Sequence, residues 1–252
     1  MEHKEYRRIV PDARAAILFV HGIVGTPNHF AEFVSKVPED VSVYNILLDG
    51  HGGSVRDFSH TSMEKWEEQV RNAVNELSDS HAEIYIVAHS MGTLLAIDRA
   101  IENPLVKGLF LLAVPLKIAP KPRMISNLYK VYFDKIKPDD AVALAAKRCY
   151  GIAQDKNPFH YFGWIPRYLE LFAKSRKARR SLQQLQTPCC VYQSACDELV
   201  SKASSKLLRQ NGVIEVVELA NSGHYYYEPN DFKKLLNGFQ EFVDQSATNE
   251  KA

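Results

Sequence analysis

The chain has 252 residues, of which 46% are hydrophobic and 24% charged, a composition typical of an ordinary globular protein. Its formal net charge of +1 excludes a strong overall field for nucleic acid, so we expect no nucleic-acid partner. No stretch approaches the roughly 20 apolar residues of a membrane helix, and residues 1–8 lack the apolar region of a secretory signal. These features predict a cytoplasmic protein.

The four cysteines show no spacing typical of a metal site. Cys189 and Cys190 are neighbours in a predicted strand, so their side chains face opposite sides and cannot easily pair. We therefore expect reduced thiols at all four positions, which are Cys149, Cys189, Cys190 and Cys196.

The first half of the chain alternates between short apolar runs and stretches with helical spacing. A continuous apolar run is typical of a strand that is buried on both faces of a parallel sheet. The predicted strands cover residues 5–10, 15–20, 43–48, 84–87 and 109–114. Helices are predicted over residues 28–37 and 62–78, and a third lies between Gly92 and Asn103.

The alternation stops between residues 116 and 181, a segment rich in aromatic residues with several probable helices and no clear strand. It resumes with strands over residues 189–193 and 213–219 and helices over residues 201–211 and 231–246. This pattern predicts an α/β fold with a mostly parallel sheet. The core would consist of residues 1–115 and 182–252, and residues 116–181, called the cap here, would form a helical insertion.

The cap has an unusual charge. Between Lys117 and Arg180 there are 15 Lys and Arg against 5 Asp and Glu, whereas the rest of the chain has 16 against 25. A basic, aromatic cap could favour anionic substrates or transient contact with an anionic lipid surface. The alternative is that the basic run at residues 174–180 is only a solvated helix face.

The central motif is the pentad Ala88-His89-Ser90-Met91-Gly92, which lies between a predicted buried strand and a predicted helix. A serine flanked by small residues two positions away, at a strand-to-helix turn, is typical of a nucleophile elbow. The tight turn lifts the serine Oγ clear of the sheet, and the helix directs its first amides toward any oxyanion formed there. Ser90 is therefore the candidate nucleophile.

A serine hydroxyl needs a base to remove its proton and an acid to orient that base. Asp197 follows the predicted strand at 189–193, and His224 follows the strand at 213–219. Both lie at the carboxyl ends of strands, which is the edge where Ser90 would be exposed and where ligands bind in open α/β sheets. We expect Asp197 and His224 to complete a catalytic triad with Ser90.

Other residues could take these places. Glu198 is an alternative to Asp197 as the acid, and Asp197 could also be a simple turn residue. Of the nine histidines, His21, His51 and His89 lie beside glycine or the nucleophile and are expected to shape loops.

An oxyanion hole requires two backbone N–H donors. One is expected from Met91, directly after the nucleophile, and the other from the loop His21-Gly22-Ile23, most plausibly from the amide of Ile23.

Five motifs, in order and together covering the core, resemble the α/β-hydrolase superfamily, and within it the bacterial carboxylesterase and monoacylglycerol lipase-like group. They are His21-Gly22-Ile23-Val24-Gly25-Thr26-Pro27, Asp49-Gly50-His51-Gly52, Ala88-His89-Ser90-Met91-Gly92, Asp197-Glu198-Leu199-Val200 and Ser222-Gly223-His224. The resemblance implies an α/β-hydrolase fold with an eight-stranded sheet and a helical cap between the sixth and seventh strands. Ile23 stands where an aromatic residue is usual, and Ala88 and Ser194 stand where glycine is common.

The triad and the resemblance together predict a serine carboxylesterase or lipase-like hydrolase. Its substrate would be a small carboxylic ester with a fatty or aromatic acyl group, such as a monoacylglycerol. No metal and no organic cofactor is implied, and nothing in the sequence indicates an oligomeric state. Two alternatives remain: a thioesterase or acyltransferase with the same triad, and a non-catalytic ligand-binding protein on the hydrolase fold.

Overall fold

The computed structural model describes residues 3–133 and 135–248 of the chain. The strands of its sheet are β1 (Tyr6–Arg8), β2 (Ala15–Val20), β3 (Ser42–Ile46), β4 (Glu83–His89), β5 (Val106–Leu112), β6 (Cys189–Ser194) and β7 (Ile214–Leu219). They lie in the order β1-β3-β2-β4-β5-β6-β7. Only β1 runs antiparallel to its neighbour, so the predicted α/β class with a mostly parallel sheet is confirmed.

Helices connect the strands and cover both faces of the sheet. The α-helices are α1 (Ala31–Val34), α2 (Val55–Ser59), α3 (Met63–Ser78), α4 (Met91–Glu102), α5 (Pro122–Tyr132), α6 (Ala141–Cys149), α7 (Ile165–Ser181), α8 (Ala203–Leu208) and α9 (Pro229–Thr248). Short 3₁₀ helices cover Pro27–Phe30, Pro158–Trp164 and Leu182–Gln184.

The two faces of the sheet bury separate apolar clusters because side chains alternate along each strand. On β2, Leu18 points into the cluster formed with α3, α4 and the cap, whereas Phe19 points into the cluster formed with α1 and α9. Cys189 and Cys190 on β6 likewise belong to opposite faces, as expected, and all four cysteines are free. With helices on both faces, the carboxyl ends of the strands become the open edge for a site.

The sheet has one strand fewer than the eight implied by the resemblance. A single antiparallel strand, β1, lies outside β3, and the turn at Asp12, with φ of 60°, leads directly from it toward β2. The predicted strand at residues 5–10 is also shorter, because the amide of Val10 donates to the side chain of Ser42. The described residues therefore form seven strands.

Three other predicted elements differ by three residues at one end. The helix predicted over residues 28–37 is a 3₁₀ turn followed by the short α1, because Lys36 and Val37 donate to carbonyls three residues earlier. The helix predicted over residues 201–211 is the shorter α8. The strand predicted at residues 109–114 begins at Val106 and ends at Leu112.

The cap lies between β5 and β6 and contains α5, α6 and α7. The basic run at residues 174–180 is not wholly a solvated face, because Lys174 is buried between the acidic side chains of Glu67 and Asp98. Within residues 3–133 and 135–248, the helices are all too short or too polar to cross a bilayer.

Candidate active site

Ser90 lies at the turn between β4 and α4, in a backbone conformation that non-glycine residues rarely adopt. Its φ is 51° and its ψ is −122°. Such strain persists only where the surroundings enforce it, and here the Ser90 amide donates to Leu112 while its carbonyl accepts from Thr93. A side chain at Gly92 would overlap the carbonyl oxygen of Val20, which explains the glycine two residues after the serine.

The structure brings Ser90, His224 and Asp197 together in one hydrogen-bonded chain. The Oγ of Ser90 lies 3.1 Å from Nε2 of His224, and Nδ1 of His224 lies 2.8 Å from Oδ2 of Asp197. All three side chains are buried. An ionised Asp197 accepts from Nδ1–H, so Nε2 is left as the acceptor of the serine proton.

The environment of Asp197 favours its ionised form. Burial by itself would raise the pKa of Asp197, but the His224 ring and the amides of Val200 and Leu199 together hold that pKa below its usual value. Both amides donate to Oδ1, at 2.8 and 2.7 Å, which leaves Oδ2 directed at the histidine. Asp197 thus remains a carboxylate at neutral pH, as an orienting acid must.

Glu198, the alternative acid, occupies a different position. Its Oε2 accepts a hydrogen bond of 2.8 Å from the backbone N–H of His224, whereas the hydrogen bond to Nδ1 of the imidazole ring comes from Asp197. The side chain of Glu198 therefore fixes the main chain of the loop that carries His224. The geometry favours Asp197 as the partner of Nδ1.

The loop after β2 carries the amide of Ile23, which is the candidate donor predicted from the sequence. His21 donates from Nδ1 to the Gly22 carbonyl, and its Nε2 accepts from the amide of Leu48, so the ring fixes this loop as expected. Within the described residues, neither the amide of Ile23 nor that of Met91 donates to a protein acceptor. An unpaired N–H group in a buried residue costs free energy of folding. Two such groups are typical of a site that binds an anionic atom.

The histidines near the site are neutral, and all of them except the half-buried His29 are buried. Burial lowers the pKa of His21 well below its usual value, and burial with the adjacent His29 and His224 rings does the same for His89. Burial lowers the pKa of His51 to about 4, and burial with the His224 and His21 rings lowers that of His29 to about 3. None of these four rings is suited to carry a proton at neutral pH.

Two contacts of these histidines were not predicted. Nε2 of His89 lies 3.0 Å from the carbonyl oxygen of His224, so the residue before Ser90 holds the loop that carries His224. His29 packs its ring 4.1 Å from that of His89. Only the position of His89 beside Ser90 could have indicated such a role, and no sequence signal marks His29.

A cavity of about 320 Å³ lies between the cap and the core, and it reaches His224 and Ile23. Its walls are largely apolar, and most of them come from the cap, where no motif had been recognised. In the described part of the chain, no group of three or more His, Cys, Asp or Glu side chains is placed to hold a metal ion. The cavity is lined by Ile23, Val24, Met124, Asn127, Leu128, Val131, Val142, Ala146, Tyr150, Trp164, Tyr168, Glu198, Leu199, His224 and Tyr225.

Several solved structures share this fold over nearly the whole chain. A metagenome-derived lipolytic enzyme from the pair LipS and LipT is 19% identical, with a TM-score of 0.73 over 97% of this chain and 98% of that one. The monoacylglycerol lipase of Paleococcus ferrophilus is 17% identical, with a TM-score of 0.70 over 97% and 99%. A soluble variant of the Saccharomyces cerevisiae monoglyceride lipase is 15% identical, with a TM-score of 0.64 over 98% and 92%.

No curated protein sequence matches the chain. The profile of the family described as serine aminopeptidase, S33, matches residues 11–228, which is most of its length. Together with the sheet order, this match confirms the predicted α/β-hydrolase fold. The chain belongs to the serine aminopeptidase S33 family of α/β hydrolases.

Proposed function

We propose that the protein is a serine esterase of the lipase type, which cleaves small carboxylic esters through a covalent acyl-enzyme. The observation that carries this proposal is the hydrogen-bonded chain of Ser90, His224 and Asp197 beside an apolar cavity. The strained turn at Ser90 adds support, because strain of this kind is concentrated at functional sites.

In the first half of the reaction, Ser90 Oγ attacks the ester carbonyl carbon while Nε2 of His224 takes its proton. The carbonyl oxygen becomes an oxyanion, which the amides of Ile23 and Met91 stabilise by about 3 kcal/mol each. The tetrahedral species collapses, the bond to the alcohol oxygen breaks, and His224 returns the proton to that oxygen. Asp197 orients the imidazole and stabilises its protonated form.

In the second half, water attacks the acyl carbon and gives its proton to His224. Collapse of the second tetrahedral species breaks the bond to Ser90 Oγ, which recovers the proton from His224. The acid product leaves and the starting state returns. No cofactor takes part in this sequence.

The cavity indicates which acyl groups fit. Its walls carry many aliphatic and aromatic side chains and few polar ones, which suits a fatty or aromatic acyl group. Monoacylglycerol lipases among the similar structures make a monoacylglycerol a reasonable first substrate. A panel of ester chain lengths in which acetate is preferred would count against this acyl pocket.

The test of the nucleophile is mass spectrometry after treatment with a fluorophosphonate. We expect a single adduct on Ser90 in the wild type, no adduct in Ser90→Ala or His224→Ala, and full labelling in Ser126→Ala, which changes an exposed serine of the cap. Absence of an adduct in a folded wild type would favour a ligand-binding protein. If the adduct forms on Ser90, rates on matched oxyesters, thioesters and aminoacyl arylamides separate an esterase from a thioesterase or an aminopeptidase.

A further inference from the structure

We propose that the cap docks on a membrane surface that contains anionic lipids. The first observation is the distribution of exposed apolar side chains. Of the thirteen large apolar residues exposed in the described chain, eleven lie in the cap, including Phe159, whose side chain is 71% exposed. A concentration of this kind on one part of a surface marks an interaction site, whereas single exposed apolar residues do not.

Two of these residues lie at the opening of the cavity. Leu128 on α5 and Tyr168 on α7 line the cavity and are themselves exposed, so they lie where it meets solvent. Next to them, Ile125 on α5 and Leu169 on α7 are exposed on the outer surface of the same helices. The apolar surface is therefore continuous with the cavity, and a lipid surface that covered it would lie directly over the entrance.

The second observation is the charge of the cap. Its exposed cations include Lys121, Arg123, Lys137 and Lys156, whereas Asp139 is the exposed acid among the described cap residues. The rest of the chain has an excess of acidic residues, so the molecule is electrically polarised although its net charge is only +1. An anionic surface would attract the cap and repel the core, which orients the cavity toward the lipid.

Charge also separates a membrane from a second copy of this chain as the partner. In a twofold dimer, the same patch would face itself, and the cations of two caps would be brought together. Aromatic and aliphatic side chains flanked by Lys and Arg instead match the interface of an anionic bilayer. The aromatic rings of Phe159 and Phe162, 6.0 Å apart, would insert at the headgroup boundary.

The test is flotation of the full chain with vesicles, and it uses Ser90→Ala so that binding is measured independently of hydrolysis. Vesicles of phosphatidylcholine alone are compared with vesicles of equal parts phosphatidylcholine and phosphatidylglycerol. We expect binding to the anionic vesicles, and we expect added salt to weaken it because salt screens exposed charges. Phe159→Glu/Phe162→Glu should bind at least about tenfold more weakly.

The matched control is Tyr6→Glu/Ile9→Glu, which places the same two charges at exposed apolar positions of the sheet edge. It should bind as Ser90→Ala alone does, and circular dichroism should show both double variants folded. With Ser90 restored, both should hydrolyse a water-soluble short-chain ester at the unaltered rate. No binding, equal binding to neutral vesicles, or equal loss in the control would each overturn the proposal. It would also fail if the wild type self-associates and only the cap variant is monomeric.

Discussion

The backbone N–H of Gly151 in the cap donates a 2.9 Å hydrogen bond to the carbonyl oxygen of Val24, the residue after the proposed oxyanion donor Ile23. Val24 has a φ of 52°, a conformation that is strained for a β-branched residue and must be enforced by its neighbours. The carbonyl of Gly151 in turn accepts from Gly52 at 2.7 Å. One residue of the cap thus ties together two loops of the core.

Because of this contact, Gly151→Ala tests how the loop that carries Ile23 is positioned. A methyl group at Gly151 would overlap Cγ2 of Thr26 and lie too close to the carbonyl oxygen of Gly25, so the cap backbone or the loop must move. We expect kcat for ester hydrolysis to fall about tenfold to a hundredfold with little change in KM, because displacement of a donor weakens only the transition state.

The second substitution Thr26→Ser removes the overlapping methyl group but leaves the carbonyl oxygen of Gly25 only 2.8 Å from the added carbon, so it should restore only part of kcat. Gly212→Ala is the matched control, since a side chain there meets no other atom within 4 Å, and it should leave kcat unchanged. If Gly151→Ala keeps full activity, the hydrogen bond from Gly151 to Val24 does not hold the loop that carries Ile23.

Removal of the charge of Asp197 should lower kcat far more than removal of the charge of Glu198. Asp197→Asn keeps the shape but no longer stabilises the required tautomer and imidazolium of His224, so we expect kcat to fall about 10³- to 10⁴-fold. Glu198→Gln retains an oxygen that can accept from the His224 amide, so a loss of only about fivefold is expected. Steady-state hydrolysis of a short p-nitrophenyl ester measures both, and a larger loss in Glu198→Gln would reverse the assignment.

Four neutral histidines with lowered pKa values should make the protein sensitive to mild acid. For His21, His29, His51 and His89 the pKa is lower in the folded state than the usual 6.5, so below pH 6.5 the unfolded chain binds more protons. Their contribution to stability is complete above that pH and is lost as the pH falls, for His51 until its folded pKa of about 4. The free energy of unfolding should decrease by about 1.4 kcal/mol per pH unit for each histidine in this window.

Urea unfolding between pH 7 and pH 5 measures this slope. In His51→Gln the free energy of unfolding will differ from that of the wild type at every pH. Its slope against pH should also be smaller, by the contribution of one histidine. An identical slope in the two proteins would mean that His51 does not titrate on unfolding.

The proximity of Ser90, Asp197 and His224 could be predicted because each of them lies next to an element that is visible in the chain. Ser90 follows seven residues of strand and precedes a helix, and Asp197 and His224 follow the last two strands. Parallel strands direct their carboxyl ends to one edge, so topology alone places these residues near one another. The sequence could not indicate the contact of Gly151 with Val24, because it depends on how the cap folds over the core.

Other errors have local physical causes. The start of β5 was predicted too late because an exposed lysine, Lys107, and a glycine, Gly108, interrupt the apolar run. In the structure Gly108 packs against the ring of Tyr85. The sequence of residues 174–180 indicates a solvated face because four of the six residues after Lys174 are basic. The acidic partners of Lys174 are distant in the sequence, at Glu67 and Asp98.

The buried position of Lys174 gives a prediction about how the cap is held to the core. Its ammonium lies 2.5 Å from Oδ2 of Asp98, which is itself buried, so Lys174→Met would leave a carboxylate without its main partner. We expect the free energy of unfolding to fall by about 3 kcal/mol, which corresponds to a melting temperature lower by roughly 10 °C.

Two further variants separate the effect of an unpaired charge from that of lost packing. Lys174→Met/Asp98→Leu should recover much of the lost stability, because an apolar pair of similar volume can replace a buried ion pair. Lys177→Met should change stability by less than about 0.5 kcal/mol, since its side chain is 63% exposed and lies 3.4 Å from the same carboxylate. Thermal unfolding by circular dichroism measures all three. If the double variant is no more stable than Lys174→Met, packing of the lysine stem, and not the charge of Asp98, holds α7 to α4.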